Sequence, residues 1–348
     1  MSRTVYFFGA GATKAIAPMA PLNKDLVKKA LEDFPKSPEV ERLQGFIRFL
    51  FKEREYPPID NQIWNLLDYI IQQGRSACKA YNLEEIVELR RCLLNLVILE
   101  FQKSLESSGS ELYKKFIEKI SRNSAFISTN YDILIDSAFF RSVGINYGAK
   151  VRASVAGEYG EERGLNRAHR YPLPEKINIG QIPLLKIHGS LNWLYCPKCD
   201  EVDMTIDKGV IRTLSGDYYC NNEYCTCKYE PLLITPTMFK NYENRFIKDV
   251  WNHAEKELIA ADNLVFVGYA LKDEDYQIRC LLMKALLNKG KAYEKITVVD
   301  NDRNDEAQRR LLEDNVKKKY EELYGEVDFR TIGFEKYVET LDLYGQNS

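Results

Sequence analysis

Val5-Tyr6-Phe7-Phe8-Gly9-Ala10-Gly11-Ala12-Thr13 is an apolar run of strand length that breaks into a turn of small residues. Such a turn lets main chain approach a phosphate closely, and a helix starting there aims free N–H groups at the anion. A plain tight turn fits the same residues. The full dinucleotide fingerprint is missing, because Lys14 holds the third glycine position and no strand-ending acid follows about twenty residues on. The stretch is not isolated, however. Leu264-Val265-Phe266-Val267-Gly268-Tyr269-Ala270-Leu271 repeats the strand-to-glycine form, and the runs 126–128, 184–187, 232–235, 296–299 and 327–331 are further short β-branched or aromatic segments. Helical patterns separate most of them, so the chain is expected to be α/β, with a Rossmann-like parallel sheet.

Two of those helices announce their starts. Ser37-Pro38 precedes an apolar face of Val40, Leu43, Ile47 and Leu50, and Asn82 with Glu85 precedes Ile86, Leu89, Leu93 and Leu96. More than a hundred residues lie between the first strand and the second, too many for one crossover. Residues 22–122 therefore read as a helical module inserted after the first strand. Residues 148–180, rich in Gly, Arg and Glu, read as a long irregular connection. Residues 195–230 read as a small cysteine module, leaving 1–21, 123–194 and 231–348 as the sheet core of a single domain spanning 1–348.

With 49 basic and 51 acidic residues the net charge is -2, so no global footprint for nucleic acid or an anionic membrane exists, and direct nucleic-acid binding is not expected. The longest apolar stretch, 93–99, contains Asn95 and stops at Glu100, well short of the roughly twenty residues of a membrane helix. The first residues lack a signal-peptide core. A soluble, cytoplasmic protein is expected. In a reducing cytosol the eight cysteines are not expected to form disulfides, and five of them crowd between Cys196 and Cys227. Cys196-x-x-Cys199 and, twenty residues on, Cys220-x4-Cys225-x-Cys227 supply two knuckles for one tetrahedral structural zinc of ribbon type. Spacing leaves the fourth ligand open between Cys225 and Cys227. Cys78, Cys92 and Cys280 fall in helical patterns and read as buried packing.

Polar residues stand where the strands end, which is where parallel α/β sheets bind ligands. Asn130 and Asp132, in Ser128-Thr129-Asn130-Tyr131-Asp132, suit either a ligand contact or a cap on the following helix. His188 ends Leu184-Leu185-Lys186-Ile187; its imidazole can take a proton from water or a hydroxyl, or serve as a hydrogen-bonded structural residue. The other two histidines, His169 and His253, fall in the irregular connection and on a helix. Asp300, after Ile296-Thr297-Val298-Val299, can accept from hydroxyls or cap a helix.

Taken in order, GAGAT (9–13), STNYD (128–132), KIHGS (186–190), CPKC (196–199) with the later cysteines, FVGYAL (266–271) and VVD (298–300) resemble the sirtuin (silent information regulator) superfamily. The chain looks most like its bacterial branch of NAD-consuming proteins, often found in anti-phage defence. The resemblance covers residues 5–300. It implies that Gly9, Ala10, Gly11, Ala12 and Thr13 hold the NAD phosphates, that Asn130 and Asp132 form the family's polar element and bind the cofactor, and that Asn130 and His188 are catalytic. It further implies that Gly268, Tyr269 and Ala270 lie under the ribose, that Asp300 lies near the adenosine end, and that Cys196, Cys199, Cys220 and Cys225 bind zinc. The family's protein deacylases carry Pro-Asp-Phe-Arg, Phe-Gly-Glu and Val-x-Pro segments where this chain has Ala20-Pro21-Leu22-Asn23-Lys24, Thr235-Pro236-Thr237-Met238-Phe239 and Lys272-Asp273-Glu274-Asp275-Tyr276. The peptide-clamping parts are altered while the NAD parts persist. The expected activity is thus NAD glycohydrolase, giving ADP-ribose and nicotinamide and depleting NAD in anti-phage defence. A homo-oligomer and a defence-system partner such as an ATPase are expected with it. An NAD-dependent deacylase and a non-catalytic sensor of an NAD derivative are the alternatives.

Overall fold

The structure, a computed structural model, describes residues 2–21, 26–34, 37–52, 56–57, 60–76, 78–105, 108–140, 145–149, 152–153, 159–162, 165–168, 182–204, 210, 214, 218–222, 224–240, 242–301, 310–311 and 313–341. His169 and most of the connection 148–180 lie outside them. The strands are β1 (Thr4–Phe8), β2 (Ser124–Ser128), β3 (Ile145–Asn146), β4 (Arg152–Ala153), β5 (Tyr159–Glu162), β6 (Leu165–Ala168), β7 (Ile182–Lys186), β8 (Gly189–Cys196), β9 (Glu201–Met204), β10 (Glu230–Leu233), β11 (Asn263–Val267), β12 (Lys295–Val299) and β13 (Asp328–Arg330). The helices are α1 (Ala10–Ile16), α2 (Leu26–Asp33), α3 (Pro38–Leu50), α4 (Asp60–Gln73), α5 (Leu83–Leu105), α6 (Glu111–Lys119), α7 (Leu134–Phe140), α8 (Arg245–Ala260), α9 (Tyr276–Lys289), α10 (Lys318–Tyr324) and α11 (Gly333–Thr340).

Seven strands form one sheet in the order β13-β12-β11-β1-β2-β7-β3, and each neighbouring pair is parallel. This is the Rossmann-like sheet expected. Its central strands are buried on both faces, β2 and β7 along their whole length, which is why they read as continuous apolar runs and not as alternation. Tyr6, Phe8, Phe116, Phe126 and Phe334 pack ring to ring on one side of β1 and β2. From β1 the chain builds outward through β2 and β7 on one side, then returns to build β11, β12 and β13 on the other. The reversal falls between β1 and β11, the position at which a parallel sheet opens a crevice at its carboxyl edge.

The run 232–235 does not join that sheet. Its first two residues end β10, which pairs antiparallel with β8 in a second sheet of order β10-β8-β9-β4, and its last two lie past the strand. β8 is thereby paired on both sides with antiparallel neighbours, β10 and β9, and an apolar run alone does not tell such a strand from a parallel one. Cys78 and Cys280 are exposed and Cys92 is half-buried, so the packing role read for them does not hold for the first two. Cys280 lies on the outer face of α9, whereas Cys78 is not helical at all but forms an isolated antiparallel bridge with Tyr81 between α4 and α5.

The chain divides into two compact units. One comprises Met1–Pro18, Ser108–Leu233 and Glu243–Ser348 and carries the sheets. The other comprises Met19–Ser107 and Ile234–Tyr242 and is built on α2 to α5. In the helical unit Ser37 caps α3 by accepting from the Val40 N–H at 3.3 Å, with Pro38 at the first helical position. Asn82 and Glu85 cap α5 reciprocally, at 3.0 and 2.8 Å. The segment Ile234–Tyr242 is tied to α4, where Asn65 Oδ1 accepts from Thr237 Oγ1 at 3.0 Å and from the Met238 N–H at 2.7 Å. Among the described residues no helix is long and apolar enough to cross a membrane.

Candidate functional site

The parallel register brings the strand ends to one edge. Phe8 pairs with Ser128 on one side and Val267 on the other, Ser128 pairs with Lys186, and Val267 pairs with Val299. Hydrogen bonds continue the ladder past the strands: Thr129 N–H donates to Phe8 O at 3.0 Å, Ile187 N–H to Ser128 O at 3.1 Å, Gly9 N–H to Val267 O at 3.0 Å and Gly268 N–H to Val299 O at 2.9 Å. Asn130 and His188 each lie two residues beyond the paired Ser128 and Lys186. Both follow the carboxyl ends of neighbouring strands, and both are buried.

The loop 9–13 is fastened from two directions. Asn130 Nδ2 donates to Gly9 O at 2.9 Å, and Thr13 Oγ1 donates to Asp132 Oδ2 at 2.5 Å. The other Asp132 oxygen accepts from the Leu134 N–H at 3.0 Å and caps α7. Asp132 is thus a helix cap and a latch together. Asn130 keeps its Oδ1 without a partner among the described residues, so that atom remains able to meet a ligand.

On the opposite side the loop interlocks with 268–270. Gly268 adopts φ +61°, and a Cβ there would lie 2.4 Å from the Ala12 nitrogen; a Cβ on Gly11 would lie 2.7 Å from Gly268 Cα, and one on Gly9 2.6 Å from Gly268 O. These glycines are required because the two loops touch each other, before any phosphate is considered. The N–H groups of Gly9, Gly11 and Ala12 are already donated to Val267, Gly268 and Gly9 carbonyls, whereas exposed Ala10 begins α1, where the N–H has no intrahelical acceptor. The Tyr269 side chain turns inward, stacking on Phe7 at 4.7 Å and donating to Asp275 at 3.1 Å, while its carbonyl accepts from Tyr320 at 2.6 Å. Only main chain of this loop, with half-buried Ala270, is left for a ligand. Asp300 is half-buried, and its Oδ1 accepts from the Asn301 N–H at 2.6 Å.

His188 sits at a fixed corner. Trp251 Nε1 donates to Ile187 O at 2.9 Å, and Gly189, at φ +83°, passes so close to Leu232 that a Cβ would lie 1.9 Å from its carbonyl oxygen. Beneath the corner is a group that strand-end reasoning missed. Lys186 is fully buried; its Nζ donates to the Asp132 carbonyl and pairs with Asp136 at 3.0 Å, and Asp136 also accepts from Tyr147 Oη at 2.6 Å. A charged residue inside an apolar run was the available signal. Burial, then the Asp136 carboxylate, raises the Tyr147 phenol well above its usual range, and burial with Asp132 and Asp136 does the same to Tyr113. Both phenols therefore stay protonated at neutral pH.

The cysteine module lies at the far end of β8. The Sγ atoms of Cys196, Cys199, Cys220 and Cys225 all lie within 4.8 Å of one another. Cys196 and Cys225 are 3.7 Å apart and Cys220 and Cys199 3.8 Å. A tetrahedral zinc with sulfur ligands at about 2.3 Å requires sulfur separations of about 3.8 Å, so this donor set fits zinc. Backbone N–H groups of Cys199, Asn222 and Cys227 donate to the sulfurs of Cys196, Cys220 and Cys225, which offsets thiolate charge. Cys227 lies outside the group of four and donates to Lys228 O at 3.5 Å. Purified protein should therefore hold about one zinc per chain; Cys225→Ser should lose it and Cys227→Ser should retain it. Metal analysis by mass spectrometry checks this, and zinc retained by Cys225→Ser would reject the assignment.

A family model described as a SIR2-like domain matches residues 124–318. No curated protein matches the chain. Among solved structures it is similar to a crystal structure of Sir2 in complex with the inhibitor EX-527, 2'-O-acetyl-ADP-ribose and deacetylated p53 peptide. The identity is 10%, over 99% of this chain and 95% of that one, with a TM-score of 0.41. It is also similar to a structure described as the structural basis of sirtuin substrate affinity, with 12% identity over 99% of this chain and 94% of that one and a TM-score of 0.44.

Proposed function

Because the chain belongs to the SIR2-like family, whose model matches more than half its length, we propose that it takes NAD as substrate and hydrolyses the nicotinamide–ribose bond. The observation that carries this reading is that Asn130 and His188 are both buried, each two residues beyond the paired Ser128 and Lys186 at the carboxyl ends of the neighbouring strands β2 and β7. The NAD pyrophosphate lies along residues 9–13, met first by the exposed Ala10 end. Gly268 to Ala270 supply main chain under the ribose, and Asp300 stands toward the adenosine. Asn130 Oδ1 orients the ribose or the attacking water. Water forms a bond to the anomeric carbon as the carbon–nitrogen bond breaks; the released electron pair neutralises the pyridinium nitrogen, and His188 receives the water proton. Nicotinamide is a good leaving group, so positioning and stabilisation of an oxocarbenium-like state provide most of the rate.

Water is favoured over an acyl-lysine as the nucleophile by the segment 235–239. The resemblance sets this segment against the deacylases' Phe-Gly-Glu stretch, whose residues it lacks, and here Thr237 and Met238 are bound to Asn65 of α4. Loss of cellular NAD suits anti-phage defence, with a partner such as an ATPase as the trigger. Chromatography of products from NAD, with and without an acetyl-lysine peptide, tests the reading. ADP-ribose and nicotinamide without peptide are expected. An acyl-ADP-ribose formed only with peptide would assign a deacylase, and bound but intact NAD would assign a sensor.

A further inference from the structure

Helix α9 is apolar on two faces. Ile278, Leu281, Leu282 and Ala285 are buried in the core. On the opposite face Tyr276 is 65% exposed, Met283 47% and Leu287 79%, with Cys280 exposed between them. A surface helix ordinarily presents polar residues to water. These four instead recur at the alternating four- and three-residue intervals of a coiled-coil seam. Asp273 precedes the seam by one turn and is exposed; Lys291, also exposed, follows it.

We propose that this face binds the same face of a second copy of this chain, with the two α9 helices antiparallel across a two-fold axis. Tyr276 and Leu287 are equidistant from the centre of the seam, and so are Cys280 and Met283. Antiparallel pairing therefore sets Tyr276 against the Leu287 position of the other copy, and Cys280 against the Met283 position, twice over, as an isologous contact requires. Charge selects the same arrangement. It places the acidic end at Asp273 beside the basic end at Lys291, whereas parallel pairing would set Asp273 against Asp273 and Lys291 against Lys291. Asp273 meets Lys319 and Arg279 of its own chain through Oδ1 alone, at 2.9 and 3.8 Å, so Oδ2 is open among the described residues. The flanking cations are answered within the chain: Lys284 meets Glu255 at 2.8 Å, and Arg279 lies 3.9 Å from Glu322.

Sedimentation equilibrium of the full chain over a concentration series tests the proposal. The wild type should form a dimer, and Leu287→Glu should weaken it by about a hundredfold or more through burial of an unpaired charge. Its circular dichroism should match the wild type, since Leu287 is a surface residue of the single chain. A monomeric wild type, or a Leu287→Glu protein that dimerises equally well, would overturn the proposal. Cysteine cross-linking in a Cys78→Ser/Cys280→Ser background reads the orientation. Tyr276→Cys with Leu287→Cys should form a covalent dimer on mild oxidation. Tyr276→Cys alone should not, because eleven residues of helix separate the two copies of position 276 by about 16 Å. Cross-linking of the single variant would overturn the antiparallel arrangement.

Discussion

His188→Ala should lower NAD turnover by about two orders of magnitude or more while the protein stays folded, because it removes a proton acceptor and leaves the sheet beneath it intact. The corner at 187–189 is held by the Trp251 indole and by the close passage of Gly189 over Leu232, and neither depends on the imidazole. Asn130→Ala should lower turnover comparably, but with an added cost. Its Nδ2 bond to Gly9 is lost as well, and a buried hydrogen bond of this kind contributes about 1 kcal/mol to stability. The two variants should therefore share a kinetic phenotype and differ in melting temperature. Nicotinamide release, measured beside thermal unfolding, checks both. A folded His188→Ala protein that releases nicotinamide at the wild-type rate would remove His188 from the chemistry and leave the sensor reading in its place.

Lys186→Met should be the most destabilising single change near the site, by about 3–5 kcal/mol, because it strands the fully buried Asp136 carboxylate. Tyr147 would still donate to that carboxylate, but one hydroxyl does not replace an ammonium group. Replacing both partners with apolar residues, as Lys186→Met/Asp136→Leu, should recover much of the loss, since the desolvation penalty of both charges disappears together. Arg42→Met provides the contrast. Its partner Glu88 is 3.2 Å away but both side chains are half in water, and such pairs contribute less than about 1 kcal/mol. Urea unfolding of the three proteins measures the differences. A Lys186→Met protein as stable as the wild type would mean that no charged pair is held there.

The sheet was legible in the sequence because its strands are buried on both faces, so 5–8, 126–128, 184–187 and 264–267 stand out as short apolar runs followed by glycine or polar residues. That pattern also put Asn130, His188 and Asp300 at strand ends. What it could not supply was the partner of each group. Gly11 reads as room for a phosphate, yet its missing side chain is answered by Gly268, a residue far along the chain that only the folded register brings alongside. Asp132 reads as either cap or ligand contact, and its two oxygens divide between the cap on α7 and Thr13. Lys186 is visible as a charge in an apolar run, but the counter-charge, Asp136, lies on the much earlier helix α7 and carries no periodic signature. The cysteine spacing left Cys225 and Cys227 equivalent; the difference is that Cys227 spends its N–H on the Cys225 sulfur while its own thiol turns away. The run 232–235 reads as one more parallel strand, because apolarity records burial and not direction.

β8 begins at Gly189, immediately after the histidine, and ends at Cys196, within the thiol cluster. It is a taut tether roughly 25 Å long at about 3.3 Å per residue, pinned at one end by the corner under Trp251 and at the other by the four sulfurs. Chelating a metal from the far anchor would therefore show as a gradient of amide exchange, fastest at Cys196 and fading toward Leu191, and the histidine would lose its aim before the sheet lost its strands.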